Sequence, residues 1–524
     1  MRPGRSVAYA RRCMAATSHP LATSTALDIL RRGGNAVDAG LAACAVLAAC
    51  EPNQTGLGGD CFALYAPGGG DHVQAYNGSG RLPAATVVDE LRAKGSTIAA
   101  DEAASITVPG AVEAWCRLSE AFGRMALPDI LAPAIALAEE GAPVHERVAF
   151  DIALNAAKLS RDPVLAGMFL PGGRPCGPGA LYRNPALGRT LRAVAEGGAA
   201  AFYRGGIARA LVRSLQAWGG SHADEDFARH SGEFVAPVST TYRGHTVFQC
   251  PPNSQGIITL ILLRLLERLP VDAEGPLGGW RYHALMEAAR LGFGYRDAYL
   301  GDPDHDPPDL GRLLGDAFIA AESGRIAPGS RLPDGFATDW PDHRDTVYLT
   351  VVDEERNAFS LINSLFDSFG SGRADPETGI CLHSRGRSFG LKEGHPNCAA
   401  PGKRPLHTII PGLLAKDGRI VMTFGVMGGH YQPVGQAHLL SSLLDYGLGL
   451  QEAVDLPRCF PQEGRIWVES SLPVRVREHL QSRGHVLAER TEPIGGAQLI
   501  WIDRQSGLLA GASDPRKDGC ALGF

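Results

Sequence analysis

A threonine that follows an aspartate stands at the start of an apolar run in the last third of the chain. Asp345 and Thr346 lie between a polar loop and the run 347–352, and a charged turn at 353–356 leads into a second apolar run. This pattern by itself indicates only a β-hairpin. A threonine hydroxyl is a poor nucleophile, so any chemistry at Thr346 requires a base that takes its proton.

A pair of glycines forms the second chemical feature. Gly428 and Gly429 follow a predicted strand directly and precede a predicted helix at Gln436. A turn of this kind can present adjacent backbone N–H groups to an anion. It is typical of a site that stabilises negative charge on a carbonyl oxygen.

Two other segments are weaker candidates for chemistry. The loop 302–309 carries one histidine and four aspartates, but it lacks the glycine turn and bidentate glutamate of a calcium loop. The glycine-rich turn 56–60 lacks the lysine and the hydroxyl residue of a phosphate-binding loop, which favours a packing turn at the entry to a strand. We therefore predict no metal and no cofactor.

The predicted elements that position these residues change in character along the chain. Glycines at 33 and 34 separate two predicted helices, 24–32 and 35–50, and a buried strand is predicted at 61–65. One helical block is predicted over 109–141, and a strand followed by two helices over 246–296. Strands dominate after residue 300, with the predicted runs 346–352, 358–362, 409–414 and 420–424, a helix at 436–444, and strands near Ile466 and Gln498.

Composition excludes several classes of protein. The chain has 524 residues, 44% of them hydrophobic and 20% charged, with a net charge of -6, which excludes a largely disordered chain and argues against a nucleic-acid partner. Its apolar runs are too short or too interrupted to span a membrane, and arginines interrupt the N-terminus where a secretion signal would lie. Eleven cysteines without a CxxC pair favour reduced, buried thiols. We therefore predict a cytoplasmic protein with no membrane partner.

The order and spacing of these motifs resemble the gamma-glutamyltransferase family of N-terminal-nucleophile hydrolases. The likeness spans nearly the whole chain, and its main segments are 33–39, 56–59, 108–110, 252–256, the strand at Thr346, 403–406, 427–429 and 513–516. The resemblance implies an α+β fold, a four-layer αββα sandwich built from both fragments of a self-cleaved precursor, with the Thr346 strand at its centre.

Self-cleavage in such a family would fall between Asp345 and Thr346. The resemblance implies a large subunit, 1–345, and a small subunit, 346–524, that begins at the nucleophile. The new α-amine of Thr346, with a typical pKa of about 7.7 to 8, would serve as the base. The two fragments would remain paired, and such pairs could assemble further into dimers.

The resemblance also implies roles for individual residues around the nucleophile. The N–H groups of Gly428 and Gly429 match the family's oxyanion hole, and Ser364 matches a hydroxyl that orients the nucleophile. Ser364 on an outward face of its strand is the alternative interpretation.

The substrate-binding positions depart from the family pattern. Ser79 stands where gamma-glutamyl enzymes have a carboxylate-binding arginine, with Arg81 displaced by two residues, and Ser388 stands where they have an amine-binding aspartate. His407 and Thr408 replace a pair of serines. Together with the arginines at 385, 387 and 404, these changes predict a cationic pocket for a small acid that bears an amide and no amine.

We therefore expect Arg385, His407, Thr408 and Arg81 to bind a small-molecule amide, as in the oxamate amidohydrolase branch that this chain most resembles. The alternatives are a gamma-glutamyltransferase or glutathione hydrolase, and an acylase of beta-lactam side chains. A relative that stays uncleaved and acts by binding is the alternative outside enzymes.

Overall fold

The computed structural model describes residues 4–333 and 346–524, and it combines helices with two large antiparallel sheets. The strands in chain order are β1 Ala8–Ala10, β2 Met14–Thr17, β3 Asp60–Ala66, β4 Gln74–Gly78, β5 Ala142–Pro143, β6 Leu181–Tyr182, β7 Glu233–Val235, β8 Val238–Tyr242, β9 His245–Gln249, β10 Val347–Val352, β11 Ala358–Ser364, β12 Arg373–Ala374, β13 Cys381–Leu382, β14 Gly412–Lys416, β15 Arg419–Met427, β16 Cys459–Gln462, β17 Arg465–Glu469, β18 Leu487–Arg490, β19 Gly496–Ile502, β20 Leu509–Ser513 and β21 Cys520–Gly523.

Most of the helices belong to the segment before Thr346. In chain order they are α1 Pro20–Arg31, α2 Ala36–Cys50, α3 Val88–Lys94, α4 Ala111–Phe122, α5 Leu127–Glu140, α6 Glu146–Leu154, α7 Ala156–Leu159, α8 Pro163–Phe169, α9 Pro185–Tyr203, α10 Gly206–Ala217, α11 Asp224–Ala228, α12 Gly256–Glu267, α13 Gly279–Tyr299, α14 Leu310–Leu314, α15 Asp316–Ser323, α16 Gln432–Leu444, α17 Leu450–Asp455 and α18 Val474–Ser482.

Local sequence explains how the central helix α2 begins. The Asn35 side chain accepts hydrogen bonds from the backbone N–H groups of Val37 and Asp38, and the Asp38 carboxylate accepts one from the Asn35 N–H. Such a reciprocal cap satisfies N–H groups that a helix start leaves unbonded. The alanine-rich helix that follows is buried along its whole length, so it packs closely in the interior.

The predicted helical block 109–141 consists of two helices in the structure. Helix α4 ends at Phe122, and α5 begins only at Leu127. Gly123 lies in extended backbone between them, and the Asp38 carboxylate accepts hydrogen bonds from the N–H groups of Arg124 and Met125. A bond from another helix therefore fixes the break.

The two main sheets each contain seven strands. The first has the order β1-β20-β19-β15-β14-β9-β8, and the second has the order β21-β2-β10-β11-β3-β4-β7. Strand β10 is interior, antiparallel to β2 on one side and to β11 on the other. The sheets contact each other face to face through β10, β15 and β19.

Apolar side chains from both sheets fill the layer between them, including Phe62, Tyr348, Ile362, Leu413 and Ile500. Helices α1, α2 and α4 cover the outer face of the second sheet, and α12 and α16 cover the outer face of the first. These four layers confirm the predicted αββα sandwich.

The segments before and after Thr346 share both sheets. Strands β1, β8 and β9 join β14, β15, β19 and β20 in the first sheet, and β2, β3, β4 and β7 join β10, β11 and β21 in the second. Either segment alone would expose wide apolar sheet faces, so the two depend on each other for a common core.

Candidate active site

Thr346 lies at the entrance to β10 and is fully buried. Val347 pairs with Asn363 across the β10–β11 ladder, which places residue 346 beside Ser364, the last residue of β11. The hydroxyl oxygens of Thr346 and Ser364 are 3.1 Å apart, within hydrogen-bond distance. The predicted partner in cleavage, Asp345, lies outside the described residues.

Beyond β11 the chain turns sharply and connects this hydroxyl pair to the predicted substrate residues. The Ser364 hydroxyl oxygen accepts a hydrogen bond from the Phe366 N–H at 3.0 Å. Phe366 has a φ of 75°, a left-handed conformation that is costly for a residue with a side chain. Its ring lies under the Arg385 guanidinium, whose central carbon is 4.3 Å from the ring centroid. The strained turn therefore brings the nucleophile candidate and Arg385 into one site.

The glycine turn after β15 borders the same site. Gly428 and Gly429 have φ values of 118° and 58°, and a Cβ on Gly428 would lie 2.9 Å from the backbone of Gly495, so glycine is required there. The Gln255 side-chain amide donates to the carbonyl of Gly429 at 3.1 Å and to that of Thr408 at 2.9 Å. Gln255 thus joins the turn to the predicted substrate segment.

Arg385 is fully buried and only partly used by its neighbours. Its Nη1 donates to the Thr408 hydroxyl at 2.9 Å, whereas Nε and Nη2 have no hydrogen-bond partner among the described residues. Asp60 is 3.8 Å from Nε, too far for a hydrogen bond. Burial lowers the pKa of Arg385 to about 9, against the opposing influence of Asp60 and Asp367. The free donors can receive an anionic ligand.

Asp60, the first residue of β3, holds this region together. One of its oxygens, Oδ2, is 3.0 Å from Nε2 of His407 and 3.5 Å from Nδ1 of His383. The other, Oδ1, accepts the N–H groups of Gly80 and Gly110. Burial would raise the pKa of Asp60, but the hydrogen bond from His407 and the nearby Arg385 guanidinium outweigh it and hold the pKa well below its usual range. Asp60 is therefore an ionised, fully buried carboxylate.

The two histidines beside Asp60 are neutral. Burial and the nearby Arg385 lower the pKa of His407 to about 3, and burial lowers the pKa of His383. The His407 Nε2–H donates to Asp60, so Nδ1 of a neutral ring is an acceptor, and it has no partner in the described parts of the chain. The Nε2–H of His383 donates to the carbonyl of Thr107 at 2.9 Å.

The described contacts of Arg81 are with the acidic loop 302–309 and the neighbouring backbone. Its guanidinium contacts the acidic loop, with Nη2 at 2.7 Å from Asp304 and Nη1 at 3.4 Å from Asp302 and 3.1 Å from the Gly402 carbonyl. None of the contacts described for Arg81 leads to Thr346 or Arg385. Its predicted role in binding substrate stays a prediction.

The predicted excess of positive charge is smaller than the sequence suggests. The Nη1 of Arg387 donates to both carboxylate oxygens of Asp367, each at 2.7 Å, and Arg404 pairs with Glu233. A buried Nε also lacks a hydrogen-bond partner in Arg387 and in Arg404, but Arg385 has two such donors, Nε and Nη2, and no carboxylate within hydrogen-bond distance among the described residues.

Both serines that replace the family's charged anchors are engaged locally. The Ser79 hydroxyl donates to the Asn77 side chain at 2.7 Å. The Ser388 hydroxyl is 2.8 Å from the carbonyl of Arg385 and 2.7 Å from that of Leu406. Neither position presents a charge to a ligand.

Sequence reasoning missed Asp60, His383 and Gln255 as parts of this site. The pattern predicts a packing turn over 56–60; the close approach at Gly59, where a Cβ would lie 2.4 Å from the Ser364 carbonyl, agrees with this, but Asp60 is already the first residue of β3. A carboxylate next to a buried strand was the available signal, because such a charge needs a partner.

No group of residues suited to hold a metal ion occurs within 4–333 or 346–524. Over the same ranges, no helix combines the length and apolarity needed to cross a bilayer. The cysteines are free, as predicted.

Comparison with known proteins adds independent support for this architecture. The gamma-glutamyltranspeptidase family model matches residues 22–524. The chain is 37% identical to the glutathione hydrolase-like YwrD proenzyme of Bacillus subtilis and 35% identical to the oxamate amidohydrolase proenzyme of Klebsiella pneumoniae, covering 98% of both chains in each case. The crystal structure of cephalosporin acylase from Bacillus halodurans superimposes with a TM-score of 0.93 at 35% identity, over 100% of this chain and 98% of that one.

The four-layer sandwich and these relatives define an amide hydrolase of the N-terminal-nucleophile class. Within that class, the chain belongs to the gamma-glutamyltranspeptidase family.

Proposed function

We propose that the protein is a self-cleaving amidohydrolase whose nucleophile is Thr346 and whose substrate is the amide of a small acid such as oxamate. The observation that carries the proposal is the buried hydroxyl pair of Thr346 and Ser364, 3.1 Å apart at the entrance to an interior strand. A threonine at the first position of a new chain supplies both nucleophile and base.

Self-cleavage comes first in this proposal. The Thr346 hydroxyl attacks the carbonyl carbon of Asp345, and the peptide bond rearranges to an ester on the threonine oxygen. Water then hydrolyses the ester, which leaves a carboxylate on Asp345 and a free amine on Thr346. The products are the fragments 1–345 and 346–524, which we expect to remain paired because they share both sheets.

Turnover then uses the same hydroxyl. The neutral amine of Thr346 accepts the hydroxyl proton while the oxygen attacks the substrate's amide carbon. The N–H groups of Gly428 and Gly429 would stabilise the resulting oxyanion, a contribution typically worth about 3 kcal/mol per donor. The amine then gives the proton to the amide nitrogen as the carbon–nitrogen bond breaks, and ammonia leaves. Water, activated in the same way, hydrolyses the acyl-enzyme.

The free donors of Arg385 support a substrate with a carboxylate. Nε and Nη2 are buried without partners among the described residues, and they form the side of a guanidinium that binds a carboxylate with two parallel hydrogen bonds. Thr408 holds the opposite nitrogen, and Nδ1 of His407 offers an acceptor that fits a donor on the ligand. The relative from Klebsiella is named an oxamate amidohydrolase, which agrees with such a ligand.

Two other activities within the family remain as alternatives. Relatives named glutathione hydrolase and cephalosporin acylase favour a gamma-glutamyl amide or a beta-lactam side chain. The hydroxyls of Ser79 and Ser388 are engaged locally and carry no charge, which counts against the zwitterionic gamma-glutamyl group. A cytoplasmic location and further assembly into dimers stay predictions.

The test combines cleavage with substrate choice. Mass spectrometry of the purified protein should show two fragments that divide the 55.4 kDa chain between Asp345 and Thr346. The cleaved protein should release ammonia from oxamate faster than it cleaves a gamma-glutamyl anilide or deacylates a cephalosporin. An intact chain would contradict the proposal and favour the uncleaved binding relative. Preference for either other substrate would reassign the activity within the family.

A further inference from the structure

The charges around Arg385 nearly cancel before any ligand enters. Arg385 and Asp60 are both fully buried and their nearest charged atoms are 3.8 Å apart. The histidines at 383 and 407 beside Asp60 are neutral for the reasons given above. Farther out, the charge of Asp367 is matched by Arg387, whose Nη1 donates to both of its oxygens. The site is thus one cation and one anion with unused donors on the cation.

Amide hydrolysis changes the charge of the molecule held there. A small acid amide carries one negative charge, on its carboxylate. Its hydrolysis with water yields a second carboxylate on the same molecule, together with ammonium, so the acid that must leave is a dianion. The α-amine of Thr346 must be neutral to act as the base, so among the described residues this nearly neutral site offers no second unpaired cation to balance the added charge. Uncompensated charge is costly away from water.

We propose that Asp60 is a specificity residue that limits the Arg385 site to one negative charge, so that the site accepts the monoanionic amide and releases the dianionic product. The identities of substrate and product rest on the proposed function. Asp60 acts in two ways here. Its negative charge offsets part of the positive charge of Arg385. Its hydrogen bonds with His407 and with the N–H groups of Gly80 and Gly110 fix the carboxylate at a position where it repels an anionic ligand at Arg385.

Asp60→Asn separates this electrostatic role from a structural one. The amide retains the shape of the carboxylate and can still accept the two backbone N–H groups, but it removes the negative charge. If the substitution displaced Arg385, the binding of a monoanion and of a dianion should weaken together, because both contact the same guanidinium. Loss of the repulsion from Asp60 should strengthen the binding of the dianion more than that of the monoanion. The ratio of the two dissociation constants therefore measures the effect of the Asp60 charge alone.

The experiment is calorimetric titration of the self-cleaved protein with pyruvate and with oxalate at neutral pH. These are a monoanion and a dianion of similar size that the enzyme does not turn over. We expect Asp60→Asn to shift the ratio of dissociation constants toward oxalate by about tenfold or more, since charges a few ångströms apart interact strongly in a buried site. In steady-state assays, the same variant should show stronger inhibition by oxalate.

Asp38→Asn is the matched control, because Asp38 is an equally buried carboxylate that accepts backbone N–H groups at the start of α2. It should leave the ratio unchanged. An unchanged ratio in Asp60→Asn, an equal shift in Asp38→Asn, or no oxalate binding in any variant would overturn the inference. Failure to hydrolyse oxamate, with the ratio still shifted as expected, would instead refute the proposed substrate and leave the role of Asp60 intact.

Discussion

The nucleophile end and the substrate end of this site are built in different ways. At the nucleophile end, backbone geometry places the groups: the β10–β11 register sets Thr346 beside Ser364, and positive φ angles shape the turn at Gly428 and Gly429. At the substrate end, Arg385 and Asp60 are placed by contacts with side chains and loops from distant parts of the sequence. Positions set by strand register and positive φ angles tolerate few substitutions, whereas residues in a cluster of side chains can be replaced without loss of the fold.

This difference separates reaction type from substrate choice. The nucleophile end depends on elements that the sandwich itself requires, so it should tolerate few substitutions. The substrate end should respond to single substitutions with changes in affinity and specificity rather than with total loss of activity. The predictions below test that division.

Replacing the nucleophile should have the largest effect. Thr346→Ala should abolish both self-cleavage and hydrolysis, because it removes the hydroxyl needed for each attack, whereas Thr346→Ser should retain part of both. The measurement is mass spectrometry together with ammonia release. Thr350→Ala is the control on the same strand, since its hydroxyl bonds the Phe359 carbonyl. Turnover by the Thr346→Ala variant would place the nucleophile elsewhere, with Thr350 and Ser360 to be tested next.

The same division separates the elements that the sequence predicts from those that it does not. The hairpin of β10 and β11, the cap at Asn35 and the glycine turn follow from local pattern, and the family resemblance supplied the sandwich. The position of the break between α4 and α5 does not follow from local pattern, because Asp38, more than eighty residues earlier, accepts the backbone N–H that fixes it. A local sequence pattern cannot predict a hydrogen bond between residues so far apart in the chain.

The substrate end was harder to predict for a physical reason. The sequence identified Arg385, His407 and Thr408, and the structure brings them together, but it showed neither their partners nor the ion pairs of the other arginines. Asp60 and His407 are 347 residues apart. The partner of a buried charge is decided by the tertiary fold, so counting arginines overestimated the positive charge of the pocket.

Arg385→Ala should produce the next largest effect. Losing a charge-assisted contact of about 1.5 to 3 kcal/mol should lower kcat/KM for oxamate by roughly ten- to a hundredfold, mainly through KM, while self-cleavage continues. Arg387→Ala, which breaks only the pair with Asp367, should lose less, and Arg213→Ala on the surface should lose nothing. Equal losses in the first two variants would refute the distinction drawn between these arginines.

Ser364→Ala probes the boundary between the two ends. It removes the partner of the Thr346 hydroxyl but leaves nucleophile and base in place, so we expect kcat to fall up to about tenfold, the worth of one hydrogen bond. Ser364→Thr should recover most of the rate. Ser360→Ala is the control, because that hydroxyl contacts the Tyr348 hydroxyl on the same strand pair. If Ser360→Ala slows turnover as much, the effect comes from strand packing and not from the contact with Thr346.

The last prediction concerns stability in acid and not turnover, and it belongs to the substrate end. Burial and Arg385 lower the pKa of folded His407 to about 3, whereas an unfolded histidine titrates near 6.5. Between these values the unfolded chain binds a proton that the folded chain excludes, so stability falls as the pH drops from about 6.5 toward 3, by at most about 1.4 kcal/mol per pH unit for this residue. His407→Asn removes the group, and its apparent Tm should fall less steeply over that window than that of the wild type. His72→Asn, which changes an exposed histidine, serves as the comparison. A parallel decline in His407→Asn and wild type would show that His407 accepts its proton without leaving the folded site, contrary to the neutral pairing with Asp60.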